Sequence, residues 1–193
     1  MSETAMVVTA QRYSQGFSYE GYLNQLSDAR QRFAEHSAAF HLTPSDAQFF
    51  KDMVQRSGGL KVLAIVEDWC PDAHRGLPVM AAIAQASGME LRVFPRDKNL
   101  DIMNLYLNQG KFMSIPVFAF FDQKLNPLCH WIERPKMATA FMEEVAAELA
   151  KRKLSEEELR QERRKRSAPM GDSWRQETVK ELKDLLAIVV PKT

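Results

Sequence analysis

The sequence predicts an α/β fold in which a central mixed sheet is flanked by helices, with extra helices at the N- and C-termini. Two observations carry this prediction. Short runs of branched apolar residues alternate with helical patterns over residues 58–150, as in units that join strands through crossover helices. Residues 1–57 and 151–193, in contrast, show helical periodicity without a strand pattern. We therefore divide the chain into an N-terminal helical extension, a central α/β domain and a charged C-terminal helical extension.

The composition is that of an ordinary globular protein. Of the 193 residues, 45% are apolar and 26% are charged, and the formal net charge of +1 excludes a chain-wide surface for polyanions. Two cysteines are too few for a disulfide framework, and no apolar run approaches the roughly 20 residues of a membrane span. The first residues lack the basic-then-apolar plan of a secretion signal, so we expect a cytoplasmic protein.

Positive charge is concentrated near the C-terminus. Residues 1–150 carry 14 basic and 17 acidic side chains, net −3, whereas residues 151–193 carry 12 and 8, net +4. The basic run comprises Arg160, Arg163, Arg164, Lys165 and Arg166, and it is interleaved with Glu156, Glu157, Glu158 and Glu162. Such interleaving is typical of a solvated helix face. The sequence therefore predicts no nucleic-acid partner and no membrane partner.

Two helices are expected in the N-terminal extension. Residues 18–35 repeat apolar side chains at spacings of three and four, which is the pattern of one buried helical face. A second helix follows Thr43, whose hydroxyl can cap it, and Pro44 suits its first turn. The glycines after Ser57 end this helix.

The central part begins with the apolar run Val62–Val66, which fits a strand covered on both faces. A helix over Pro71–Ser87 follows and stops at Gly88, and Met89–Phe94 forms the next strand. Because a helix of this length joins parallel strands, these elements form one βαβ unit.

Further elements complete the chain. We predict a helix over 101–109, a strand over 117–121, an antiparallel strand over 128–132 and a helix over 138–149. In the C-terminal extension, Ser155 and Glu158 have the spacing of a capping box. A last amphipathic helix begins near Ser173, and it must dock on the rest of the chain because a short isolated helix is marginal in water.

Cys70 is the first candidate for chemistry because it lies where a strand passes into a helix. The unpaired N–H groups and the dipole at a helix start favour a thiolate, so a depressed pKa is expected. Pro71 suits the first turn, whereas the carboxylate of Asp72 opposes a second negative charge. Asp68 and His74 are the other neighbours that can modulate the pKa of this thiol. The alternative is that Cys70 is a buried small apolar residue, as most unpaired cysteines are.

A second feature is Ile115-Pro116, directly before the third strand. Proline lacks the N–H of a strand ladder and so belongs at the first residue of a strand, and the bond before it can be cis. Together with a Trp-Cys turn earlier in a βαβ unit, this dipeptide helps to identify the fold.

These motifs together resemble the thioredoxin family over residues 58–150. The resemblance rests on Trp69-Cys70-Pro71-Asp72-Ala73 between strand and helix, on Pro78 inside that helix, and on Ile115-Pro116 before a strand. Within the family the chain is most similar to a bacterial single-cysteine branch with a Glu-Asp-Trp-Cys-x-Asp motif and a later Trp-x-x-Arg-Pro, here residues 131–135.

The resemblance implies that Cys70 is the nucleophile. It also implies a substrate site formed by Trp69, Pro71, Asp72, Ile115 and Pro116, where an extended peptide can bind. Two departures weaken a self-contained dithiol cycle: Ala73 replaces the second cysteine of the usual motif, and Ala64 replaces a buried acid. Cys129 is expected on an outer strand, away from the helix start.

The leading hypothesis is a single-cysteine thiol–disulfide oxidoreductase that forms a mixed disulfide at Cys70, resolved by an external thiol. Its partners would be protein or small-molecule thiols and disulfides, with a small cytosolic thiol as co-substrate and no other cofactor. No metal is expected, since Cys70 and His74 supply only two ligands. The alternative is a binding module for an extended peptide or partner protein, and a homodimer through the terminal helices is left open.

Overall fold

A computed structural model describes residues 3–191 of the chain. Its centre is a four-stranded sheet in the order β2-β1-β3-β4, formed by β1 (Lys61–Val66), β2 (Glu90–Pro95), β3 (Val117–Phe121) and β4 (Pro127–Ile132). The first strand pairs parallel with β2 and antiparallel with β3, and β4 is the antiparallel edge strand. The sheet is therefore mixed, which confirms the predicted α/β class.

Helices cover this sheet and extend both ends of the chain. Within the described residues the α-helices are α1 (Glu3–Val7), α2 (Ala10–Ser14), α3 (Tyr19–Leu23), α4 (Arg30–Ala38), α5 (Pro44–Arg56), α6 (Pro71–Ser87), α7 (Leu100–Met103), α8 (Lys136–Leu149), α9 (Glu156–Ser167) and α10 (Gly171–Val189). The α6 helix ends at Gly88 in the left-handed conformation that glycine adopts without strain, as expected from the sequence.

Two predicted helices are wrong in extent. Residues 18–35 form α3 and α4 with a non-helical break between them, rather than one helix. The hydroxyl of Ser18 accepts from the Gly21 N–H at 3.0 Å and begins α3, but the turn hydrogen bonds after Leu23 lead into a separate short helix. Periodicity alone does not detect such a break, because the apolar spacing continues across it.

The helix predicted over residues 101–109 is also shorter. The four-residue α7 passes into a 3₁₀ turn over Asn104–Tyr106, and a bridge between Asn108 and Phe112 then reverses the chain. Gln109 and Gly110 have positive φ within this reversal, which no helix accommodates.

Both extensions pack on the central part. The α4 and α5 helices lie against α6, and α10 lies against α6, α5 and β4. Close approach inside the core depends on Gly76, where an added Cβ would lie 3.2 Å from Cγ of Pro116. The residues of β1 from Val62 to Val66 are fully buried, so the strand is covered on both faces as predicted.

The α9 helix differs from the others because it has no buried residue. The predicted capping box is present at its start, where the Ser155 N–H donates to Oε2 of Glu158 at 2.7 Å. Arg166 is paired with Glu148 of α8 at 2.7 Å, and Arg152 with Glu162 at 3.2 Å. Charged side chains rather than apolar packing therefore attach this helix.

Over residues 3–191, none of the helices combines the length and the apolar character that crossing a bilayer requires.

Candidate active site

Cys70 is the N-cap residue of α6, directly after the loop that follows β1. Its Sγ donates to the carbonyl oxygen of Ile115 at 3.4 Å, and the Ile115–Pro116 peptide bond is cis. Only 7% of Cys70 is exposed. The structure therefore brings the cysteine and the loop before β3 together, and it holds the sulfur largely beneath the surface.

The electrostatic environment of Cys70 corrects one expectation. Burial raises the pKa of its thiol, and the charge of Asp72 acts in the same direction. The N–H groups of Ala73 and Asp72 at the helix start and the guanidinium of Arg134 oppose this rise without overcoming it. The predicted depressed pKa is therefore wrong, because desolvation outweighs the helix start.

His74 does not supply the positive charge that could tune this thiol, and Asp68 is connected to the His74 ring through its backbone carbonyl. The His74 ring is buried, its Nε2 is hydrogen-bonded to the backbone carbonyl of Asp68, and it lies edge-on to Phe33 with centroids 4.9 Å apart. Burial lowers the pKa of His74, so the ring is neutral near pH 7. It therefore fixes the loop before Cys70 instead of supplying a positive charge.

Asp72 lies at the centre of a charged network beside the cysteine. Its Oδ1 accepts from Arg75 at 2.7 Å and its Oδ2 is paired with Arg134 at 2.9 Å. Burial nevertheless raises the pKa of Asp72, because the cost of desolvation exceeds the effect of both arginines. Arg134 belongs to the Trp-x-x-Arg-Pro segment, so this segment supplies one of the two arginines that pair with Asp72.

The same segment also holds the loop that carries Pro116. The N–H of Glu133, a residue with φ of 69°, donates to the Pro116 carbonyl at 2.7 Å. The Glu133 carboxylate accepts from Asn108, which also donates to Ser114. The two sides of the site are thus connected through residues 131–134.

The surface next to Cys70 is partly apolar. Trp69 is 53% exposed, and the guanidinium of Arg96 lies 4.9 Å from its ring centroid. Arg96 also donates to the carbonyl of Met113, and both Met113 and Phe112 are exposed. Arg96, Phe112 and Met113 were not predicted from the sequence, although two large apolar residues just before Ile115-Pro116 were a readable signal.

The predicted substrate residues divide into two groups. Trp69 and Pro71 are exposed, and Asp72 is half-buried in its ion pairs. Ile115 and Pro116 are buried, and the hydrogen bond to the cysteine is made by the backbone carbonyl of Ile115. A ligand bound beside Cys70 would therefore meet the side chains of the first group and the backbone carbonyl of Ile115.

Cys129 lies on the edge strand β4, opposite Phe120, and both cysteines are free thiols. Burial raises its pKa to about 11 with no opposing group. Within residues 3–191 no group of three or more His, Cys, Asp or Glu side chains is arranged to hold a metal ion.

Comparisons with known proteins agree with this architecture. A family model described as thioredoxin matches residues 16–164. A crystal structure of a protein of unknown function from Pseudomonas aeruginosa superposes with a TM-score of 0.64 at 18% identity, covering 94% of this chain and 97% of that chain. An HIV epitope scaffold superposes with a TM-score of 0.62 at 14% identity, covering 93% and 98%. No curated protein matches the sequence.

Proposed function

Because the chain belongs to the thioredoxin family, we propose that it exchanges thiols and disulfides through a mixed disulfide at Cys70, which an external thiol resolves. The observation that carries this proposal is the position of Sγ, at the start of α6 and 3.4 Å from the Ile115 carbonyl. We also assign the chain to the single-cysteine branch, because Ala73 stands where a resolving cysteine would lie.

The exchange has two steps. The thiolate of Cys70 attacks one sulfur of a partner disulfide, the S–S bond breaks, and the other sulfur leaves as a thiolate that takes up a proton. A second thiolate, from a small thiol, then attacks the partner sulfur of the mixed disulfide and releases Cys70. Because this step needs a reduced external thiol, we place the protein in a reducing compartment such as the cytoplasm.

The raised pKa of the Cys70 thiol slows the first step near neutral pH. A thiol whose pKa is raised above its ordinary value is mostly protonated near pH 7, so the exchange is slow there and accelerates as the pH rises. A partner that docks on Trp69, Met113 and Phe112 would raise the local concentration of its disulfide beside Cys70.

The second candidate is a binding module without covalent chemistry. One observation favours it: the thiol of Cys70 is buried, protonated near neutral pH and already donating to Ile115. In this case the exposed apolar side chains next to the cysteine would hold an extended segment of a partner protein.

Mass measurement distinguishes the two candidates. The protein is incubated at about pH 9 with the disulfide of a small neutral thiol, weighed intact, and mapped by peptides. We expect one adduct, on the peptide that contains Cys70, and its release when the reduced thiol is added. Absence of any adduct at this pH would contradict the exchange and favour the binding module. An adduct confined to Cys129 would contradict the assignment of Cys70.

A further inference from the structure

A cavity of about 880 Å³ lies beside the start of α6. Its walls are formed by α4, the first turn of α6, the charged helix α9 and the start of α10. Trp69 and Pro71, the neighbours of Cys70, line its edge. Its size is that of a small-molecule site rather than of a macromolecular groove. The cavity thus exists because the C-terminal extension folds back over the cysteine-bearing end of the fold.

The charge of this cavity is strongly positive. Six arginines and only three carboxylates line it, giving a net charge of +3. Two of the carboxylates are already committed, Asp72 to Arg75 and Arg134, and Glu157 to Arg160. The two lining histidines add no charge near pH 7, since burial lowers the pKa of both, that of His36 to about 4.

Three arginines of the cavity have no ion pair among residues 3–191: Arg32 on one wall, and Arg163 and Arg164 on the other. All three are exposed. Guanidinium groups that line one cavity attract an anion placed within it, and each can bind a carboxylate or phosphate in bidentate fashion.

A second observation is that three buried hydrogen-bond donors of the lining residues have no partner. Among the described residues, the buried polar side-chain atoms without a partner include Nε of Arg75, Nε of Arg134 and Nε1 of Trp174, and all three residues line this cavity. All three atoms are donors, and none of the carboxylate or amide oxygens of the lining accepts from them. These atoms are buried from solvent, so a ligand in the cavity cannot contact them directly. They show that donors in the walls are left without acceptors.

Apolar packing does not explain why this face of α9 lies against the cavity. Its lining residues Glu157, Arg160, Gln161, Arg164 and Ser167 follow helical spacing along one face. No residue of this helix is buried, so the face contributes no apolar packing. Of the basic run, Arg160, Arg163 and Arg164 are exposed as predicted and also line the cavity, whereas Lys165 and Arg166 do not line it.

We propose that this cavity binds a small multivalent anion that carries two or more carboxylate or phosphate groups. The ligand is held between Arg32 of α4 and Arg163 and Arg164 of α9, beside Trp69. The cavity shares Trp69, Pro71 and Asp72 with the proposed substrate site, but Cys70 does not line it and no step of the binding involves sulfur chemistry. Anion binding can therefore be tested without thiol exchange.

The test is a titration of the full-length protein with pyrophosphate and, separately, with propane-1,2,3-tricarboxylate. Binding is followed by calorimetry and by tryptophan fluorescence, since Trp69 and Trp174 line the cavity. We expect binding of at least one probe, weakening as salt is added. The double variant Arg163→Ala/Arg164→Ala should bind about tenfold or more weakly than the parent.

A matched control removes the same amount of charge outside the cavity. Lys153→Ala/Lys165→Ala changes two exposed lysines of the C-terminal extension that do not line the cavity, and it should alter binding by about twofold or less. Binding of pyrophosphate alone assigns a phosphate ligand, and binding of the tricarboxylate alone assigns a carboxylate ligand.

Three results would overturn the proposal. The first is no binding of either probe up to about 10 mM at low salt. The second is equal weakening in the arginine and lysine double variants, which would show nonspecific charge attraction. The third is tighter binding of a single-stranded oligonucleotide or of anionic vesicles than of either probe, which would assign a macromolecular partner.

Discussion

The Cys70→Ala variant is expected to lose all thiol transfer, leaving only the uncatalysed background rate. The proposed exchange passes through one sulfur, and the position of a second cysteine in the helix start is occupied by Ala73. Transfer is measured between a small disulfide and an excess of a reduced thiol at about pH 9, where the Cys70 thiolate is more abundant. The substitution removes one sulfur from a helix end and should leave the fold intact.

Cys129→Ala is the matched control for this prediction. Cys129 lies on the edge strand, and burial raises its pKa to about 11, so its removal should leave the transfer rate unchanged. Transfer that survives in Cys70→Ala and disappears in Cys129→Ala would assign the chemistry to Cys129 on the edge strand. This result would contradict the proposed function.

Replacing Trp131 with alanine is expected to lower the free energy of unfolding by about 3–5 kcal/mol. Its ring stacks on Phe118 with centroids 5.4 Å apart and planes 6° apart. Its Nε1 donates to Glu181 of α10 at 2.7 Å, and the other oxygen of Glu181 accepts from the N–H of Lys136. The variant therefore leaves a cavity in the core and also releases the carboxylate that joins β4, α8 and α10.

Urea unfolding followed by circular dichroism measures this loss. Trp69→Ala provides the control, because that ring is 53% exposed and its removal should change the free energy of unfolding by about 1 kcal/mol or less. If the two variants were equally stable, Trp131 would not join the C-terminal helix to the sheet as described.

The sheet and the position of Cys70 were predictable because each depends on local patterns. Uninterrupted apolar residues over 62–66 require a strand covered on both faces, and Gly88 marks a helix end whatever lies around it. The break within residues 18–35 was not predictable in this way, since apolar spacing continued through it.

The direction of the Cys70 pKa shift depends on tertiary structure. The sequence displays the helix start and the neighbouring carboxylate, but it does not display how completely Ile115 and the rest of the core exclude water from the sulfur. The pairing of Arg134 with Asp72 is likewise a contact between distant segments.

The orientation of α9 could not be deduced for a related reason. Alternating charges predict a solvated helix, and the helix is indeed free of buried residues. Which face it turns toward the rest of the protein depends on its ion pairs with α8 and on the path of the chain into α10. Only the folded chain shows that Arg163 and Arg164 line the same cavity as Arg32.

The rate at which Cys70 is alkylated, measured against pH in the parent and in Asp72→Asn, tests the central claim most directly. The claim is that Cys70 is the reacting thiol and that burial and the charge of Asp72 keep it protonated at neutral pH. Asparagine should be tolerated, because it keeps the shape of the side chain and because burial already opposes the charge of Asp72, whose pKa is raised.

We predict that the parent rate is still rising at pH 9, that Cys70 is labelled before Cys129 at every pH, and that the Asp72→Asn curve is displaced to lower pH. A parent rate that reaches its plateau below about pH 8, or earlier labelling of Cys129, would contradict the account.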